Sequence, residues 1–154
     1  MKRIITIFFL AALVGGLPWM SRAAGIEVST ITFALLGKTT FSNTPPPKFP
    51  AGLSKLEGKR VRLSGFATPY DDPEKLIKIV LVKSPGGCFF CSPPAPNAVV
   101  FVRRVPGDPP LKNIDDMVEV EGVLHLWRTE MKNNDEAKGF FFTIDEAKVN
   151  LNRK

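Results

Sequence analysis

The side chains best suited to chemistry in this chain are two cysteines, Cys88 and Cys91, and the single histidine, His125. The cysteines stand at C-x-x-C spacing inside S-P-G-G-C-F-F-C-S-P-P-A-P-N, the run from Ser84 to Asn97. Two sulfurs separated by two residues can face one ion, which is half of a zinc site and equally suits copper(I). Gly86 and Gly87 permit the tight turn this needs, and His125, a carboxylate or a second chain would complete the ligand set. The same pair could instead close a disulfide, whose small ring adds little chain entropy and mainly holds local geometry. A third chemistry is thiol–disulfide exchange, which works best when a helix N-terminus lowers a thiol pKa. Pro93, Pro94 and Pro96 oppose a helix after Cys91, and the loop carries no Lys, Arg or His. Covalent haem needs C-x-x-C-H, and Ser92 stands at the histidine position.

The loop is held between two apolar, β-branched runs, Leu76 to Val82 and Ala98 to Val102, so a stiff turn between two strands is expected. Phe89 and Phe90 lie at its tip as candidate contacts for a partner, and Pro93, Pro94, Pro96 and Asn97 form its rigid return. Alternation over Met117 to Arg128 sets Val118, Val120, Gly122, Leu124 and Leu126 on one face. Glu119, Glu121, Val123, His125 and Trp127 take the other, which in a barrel is the outside. A histidine there is an ordinary surface residue or a metal ligand. No Ser/His/Asp set, H-E-x-x-H or phosphate loop occurs, so nothing marks the chain as an enzyme. Arg60, Arg62, Arg103 and Arg104 read as solvated strand faces rather than a basic patch.

Residues 1–23 have the form of a cleaved export signal: Lys2 and Arg3, an apolar run from Ile4 to Met20, and small residues at Ser21 and Ala23. Cleavage there leaves 131 residues; it removes Lys2, Arg3 and Arg22 but no acid, so the net charge falls from +6 to +3. That mild excess does not call for nucleic acid. A periplasmic or secreted protein without membrane insertion is expected, in a compartment where thiols oxidise or bind metal.

Residues 24–50 are expected as an extended N-terminal segment and Pro-rich connector, and 51–154 as one domain. A helical turn at Ala51 to Leu56 precedes strands beginning at Arg60, Leu76, Ala98, Met117 and Gly139, with Asp145 to Leu151 as a short closing element. Val61, Leu63 and Gly65 recur 57 residues later as Val118, Val120 and Gly122. Mid-strand glycines let strands bend round a small barrel. The fold class is therefore all-β: a five-stranded OB-like barrel with an extended N-terminal arm, a small sandwich being the alternative.

Leu56-Glu57-Gly58-Lys59, then Val61, Leu63, Gly65-Phe66 and Pro69, form one half of a wider pattern. The other half is an apolar strand, a glycine–cysteine turn, and Pro93, Pro94, Pro96 and Asn97 leading into valines. Together they resemble the bacterial domain-of-unknown-function family 3299, over residues 50 to 150. The resemblance implies a small exported protein, with an envelope or ABC-type transporter component as partner. Many members pair a cysteine with a nearby histidine in this turn. This chain has Cys88-Phe89-Phe90-Cys91 instead. The resulting expectation is a non-catalytic accessory protein whose loop binds zinc or copper or contacts a partner. The alternatives are a redox protein using the same pair and an interaction module with a structural disulfide.

Overall fold

Val61 and Leu63 alternate with Arg62 and Ser64, and the computed structural model folds this stretch as β2 (Arg60–Pro69), a ten-residue strand with its apolar face inward. The structure describes residues 27–42, 46–70, 76–85, 94–109, 111, 117–127 and 137–151. Around β2 stand β1 (Ser29–Thr30), β3 (Lys78–Val82), β4 (Val99–Arg104), β5 (Met117–Leu126) and β6 (Phe142–Leu151). Strand order β2-β3-β4-β6-β5 returns to β2, so five strands close into a barrel. All its pairings are antiparallel except β4 with β6, which the long β4–β5 connection makes parallel. This is the order of an OB-like barrel, with β1 added parallel to β2.

The repeated Val-x-Leu/Val-x-Gly pattern is the pairing itself. Val61 sits opposite Gly122, Leu63 opposite Val120, and Gly65 opposite Val118. Gly122 has no room for a side chain: a Cβ there would lie 2.6 Å from the Asp145 carbonyl oxygen and from Ile144 Cγ2. That close approach goes with a bulge. The β5–β6 register shifts between Glu121 and Val123, and Glu146 takes φ 50. The bulge also explains why β6 looks shorter in sequence than it is. It breaks the alternation at Asp145 and Glu146, after which Ala147 is again buried.

β3 and β4 read as unbroken apolar runs because both of their faces are covered. Ile79, Leu81, Val100 and Val102 belong to the interior core. Outside, Val80, Val99 and Phe101 pack with Ala137, Tyr70 and Phe140. Tyr70 and Phe140 place their rings 5.0 and 5.1 Å from Phe101. The face that OB modules often offer to ligands is here filled by the chain's own connections.

The barrel has two ends. At the upper end β2 and β6 begin, β5 finishes, and the β3–β4 loop leaves and returns. The N-terminal segment plugs it: Ile31, Leu36 of α1 (Phe33–Leu36) and Leu53 of α2 (Ala51–Ser54) all enter the core. Thr32 caps α1 by accepting a hydrogen bond from the Leu35 amide through Oγ1. The stretch expected to run as an extended connector thus includes one helical turn, and it folds back on itself where Thr40 bridges Lys48. At the lower end β2 and β4 finish, and β3 and β5 begin. The expected signal, residues 1–23, lies outside the described residues; among those described, no helix is long and apolar enough to cross a membrane.

Candidate functional site at the upper end of the barrel

The loop between β3 and β4 starts and ends on adjacent strands, because Val82 pairs with Val99. Gly86, Gly87, Cys88, Phe89, Phe90, Cys91 and Pro93 lie outside the described residues. The return is described. Ala95 is extended, with φ −57 and ψ 144, and Pro96 opens a 3-10 turn over Pro96–Ala98. Asn97 in that turn donates through Nδ2 to two carbonyl oxygens, those of Gly37 and Thr39, both at 3.1 Å. An amide can give two hydrogens from one nitrogen; an aspartate at this position could give none. The loop's second foot is therefore clasped to the N-terminal plug.

His125 faces outward, as its alternation requires. Its Nδ1 lies 3.2 Å from Glu57 Oε1, and the other oxygen of Glu57 accepts the Leu126 amide at 2.6 Å. On the opposite side Nε2 stands 3.8 Å from Asp145 Oδ2, while Asp145 Oδ1 accepts Arg103 Nε at 3.0 Å. The imidazole thus sits between two carboxylates that come from different elements. Its cross-strand partner is Thr143, and Thr143 pairs with Phe101 on β4. That row puts His125 two strands, about 10 Å, from the strand that receives the cysteine loop. Among the described residues no group of three or more His, Cys, Asp or Glu is arranged to hold a metal ion.

The four arginines do not gather. Arg62 pairs with Glu121 at 3.0 Å and Glu119 at 3.5 Å across the β2–β5 seam. The Glu121 hydrogen bond, then the Glu119 charge, hold its guanidinium above its ordinary pKa. Arg103 serves Asp145. Arg104 is not on a solvated face as the sequence suggests; it follows Val100 and Val102 into the barrel and is buried. It donates to the Pro109 and Leu76 carbonyl oxygens at 2.8 and 3.4 Å, with Asp108 no nearer than 4.0 Å.

A family model for proteins of unknown function, DUF3299, matches residues 50–150, the whole barrel with α2 and the Glu57 turn. The chain belongs to this family. A crystal structure of a DUF3299 protein from Pseudomonas aeruginosa PAO1 superposes with TM-score 0.53 at 17% identity, covering 80% of this chain and 95% of that one. At that identity the likeness speaks for the fold. Among curated proteins, none matches the sequence.

Within this DUF3299 chain, Glu57 and Asp145 are functional-site neighbours that residue types alone did not single out. Glu57 lies in a turn 68 residues from His125 and meets it only through barrel closure. Asp145 reaches both His125 and Arg103 from the bulge of β6. Asn97, expected as part of a binding loop, has its side-chain amide engaged by Gly37 and Thr39.

Proposed function

We propose that this DUF3299 protein is an exported, non-catalytic accessory protein whose Cys88-x-x-Cys91 loop holds a soft metal ion, zinc or copper(I), at the upper end of the barrel. The observation that carries this reading is the fixing of both loop feet. Val82 and Val99 hold the base in register, and Asn97 clasps the return to Gly37 and Thr39. Two thiolates at C-x-x-C spacing, in a loop whose base is held in register, suit ligation of one soft ion. His125 is on the same end, and would serve as a further ligand only by leaving Glu57 and Asp145. Cys88 and Cys91 would supply charge and softness, and the pinned feet the geometry.

The redox alternative has less support. From Pro94 onwards the chain is extended at Ala95 and turns once before β4, and among these described residues no α-helix begins that could lower a thiol pKa. A partner in the envelope, such as an ABC-type transporter component, remains part of the proposal through Phe89 and Phe90 at the loop's tip. Competition titration of the reduced protein with zinc and with copper(I) tests the metal. Stoichiometric binding that disappears in Cys88→Ser and persists in His125→Gln is expected. No binding of either ion by the reduced, folded protein would end the metal reading.

A further inference from the structure

Five lysines converge on the upper end. Lys38 follows α1, Lys48 bridges to Thr40, Lys55 and Lys59 flank the Glu57 turn, and Lys83 follows β3. All five are exposed, and among the described residues none takes part in an ion pair or side-chain hydrogen bond. Of the described arginines, Arg62, Arg103 and Arg104 are engaged, whereas Arg60 resembles the lysines. Three acids of the described residues lie here, and one of them, Asp145, is taken up by Arg103 and His125. Glu57 is occupied by His125 and the Leu126 amide, and Glu27 lines an open cleft with Ser29, Gly58, Lys59 and Arg60. Phe41 follows Thr40, which bridges Lys48, and is 47% exposed, its ring 5.2 Å from Phe141 and supported by it.

Chain direction adds a second, independent observation. β1 runs parallel to β2 from the upper end, so residues 1–26, with the apolar run from Ile4 to Met20, join the fold at this end.

We propose that the upper end docks peripherally on an anionic phospholipid bilayer. Unpaired lysines and one supported aromatic ring match a planar, negatively charged, interfacial partner, to which each lysine adds attraction and the ring a shallow apolar contact. The lysines come from separate turns, which suits a flat surface better than a small ligand. On the proposed export reading, a leader attached here brings the same end towards a membrane before cleavage. This inference stands apart from the metal reading and requires neither cysteine.

Flotation of the processed protein with vesicles of mixed phosphatidylglycerol and phosphatidylcholine tests it, with circular dichroism confirming that each variant is folded. The protein should float with the mixed vesicles and not with phosphatidylcholine alone. Binding should vanish near 1 M salt, where screening acts within about 3 Å. The double variant Lys48→Gln/Lys55→Gln should bind about thirtyfold more weakly, at about fivefold per lysine. The charge-matched control Lys78→Gln/Lys148→Gln, on strands away from this end, should bind as the parent does. Equal loss in both pairs would mean that net charge rather than this end is sensed, and would overturn the proposal. Protein that ignores vesicles yet is retained on immobilised polyglutamate would overturn it in favour of an acidic protein partner.

Discussion

The two ends of the barrel are closed by opposite means. The upper end is plugged by apolar side chains from the N-terminal segment, Ile31, Leu36 and Leu53, with every lysine of that segment left outside. The lower end is tied by one buried cation, Arg104, whose guanidinium gathers carbonyl oxygens from Leu76 and Pro109. Leu76 accepts φ 46 there, an unfavourable backbone for a leucine. An apolar plug asks nothing of the surface above it, so that surface is free to carry unpaired charge and a cysteine loop. A buried charge recruits nearby acceptors to itself and leaves less for other uses. On the proposed reading, the lower end serves structure and the upper end function.

Four variants sharpen or break that contrast. Leu53→Ala, which empties part of the plug, should cost about 3 kcal/mol in chemical denaturation. A cost under about 1 kcal/mol would mean that the plug is not part of the cooperative core. Arg104→Met keeps the stem but leaves two carbonyl groups without their donor, and should cost about 2 kcal/mol. A neutral or stabilised Arg104→Met would instead show that desolvating the charge cancels its hydrogen bonds, as buried ion pairs often do. Asn97→Ala should lower stability by about 1 kcal/mol. Its more telling effect is on the loop: metal affinity should fall while the Arg104 variant, if folded, keeps it. Lys48→Gln/Lys55→Gln should change stability by no more than about 0.5 kcal/mol, since exposed unpaired lysines hold nothing in place. A larger loss on denaturation would give those lysines a structural role and weaken the contrast.

Much of the barrel was legible in sequence because its signals are local. Alternation marked β2 and β5, and the β-branched runs marked β3 and β4. The two matched glycines pointed to bent strands that prove to be partners. β6 was harder to see, because the Asp145–Glu146 bulge interrupts its period and half of its residues are polar. The plug was harder still. Pro45, Pro46, Pro47 and Pro50 argue for a surface connector, yet Pro47 is buried and Phe49 packs against Phe142 at 5.9 Å. Contacts across long separations left no local trace: Glu57 with His125, Asn97 with Gly37, Arg104 with Leu76. Of the expected site residues, His125, Pro94, Pro96 and Asn97 fall within the described structure, and the cysteines with Gly86, Gly87, Phe89, Phe90 and Pro93 lie outside it.

The central claim is that the upper end presents Cys88 and Cys91 as ligands of a soft metal ion. Intact mass of the protein isolated from the cell envelope tests it most directly, under native and denaturing conditions, with and without a thiol-alkylating reagent. A native mass carrying zinc or copper, with both cysteines alkylated once the protein is denatured, is the predicted result. A metal-free native mass two hydrogens light, with no alkylation until a reductant is added, would contradict it and make the loop a disulfide.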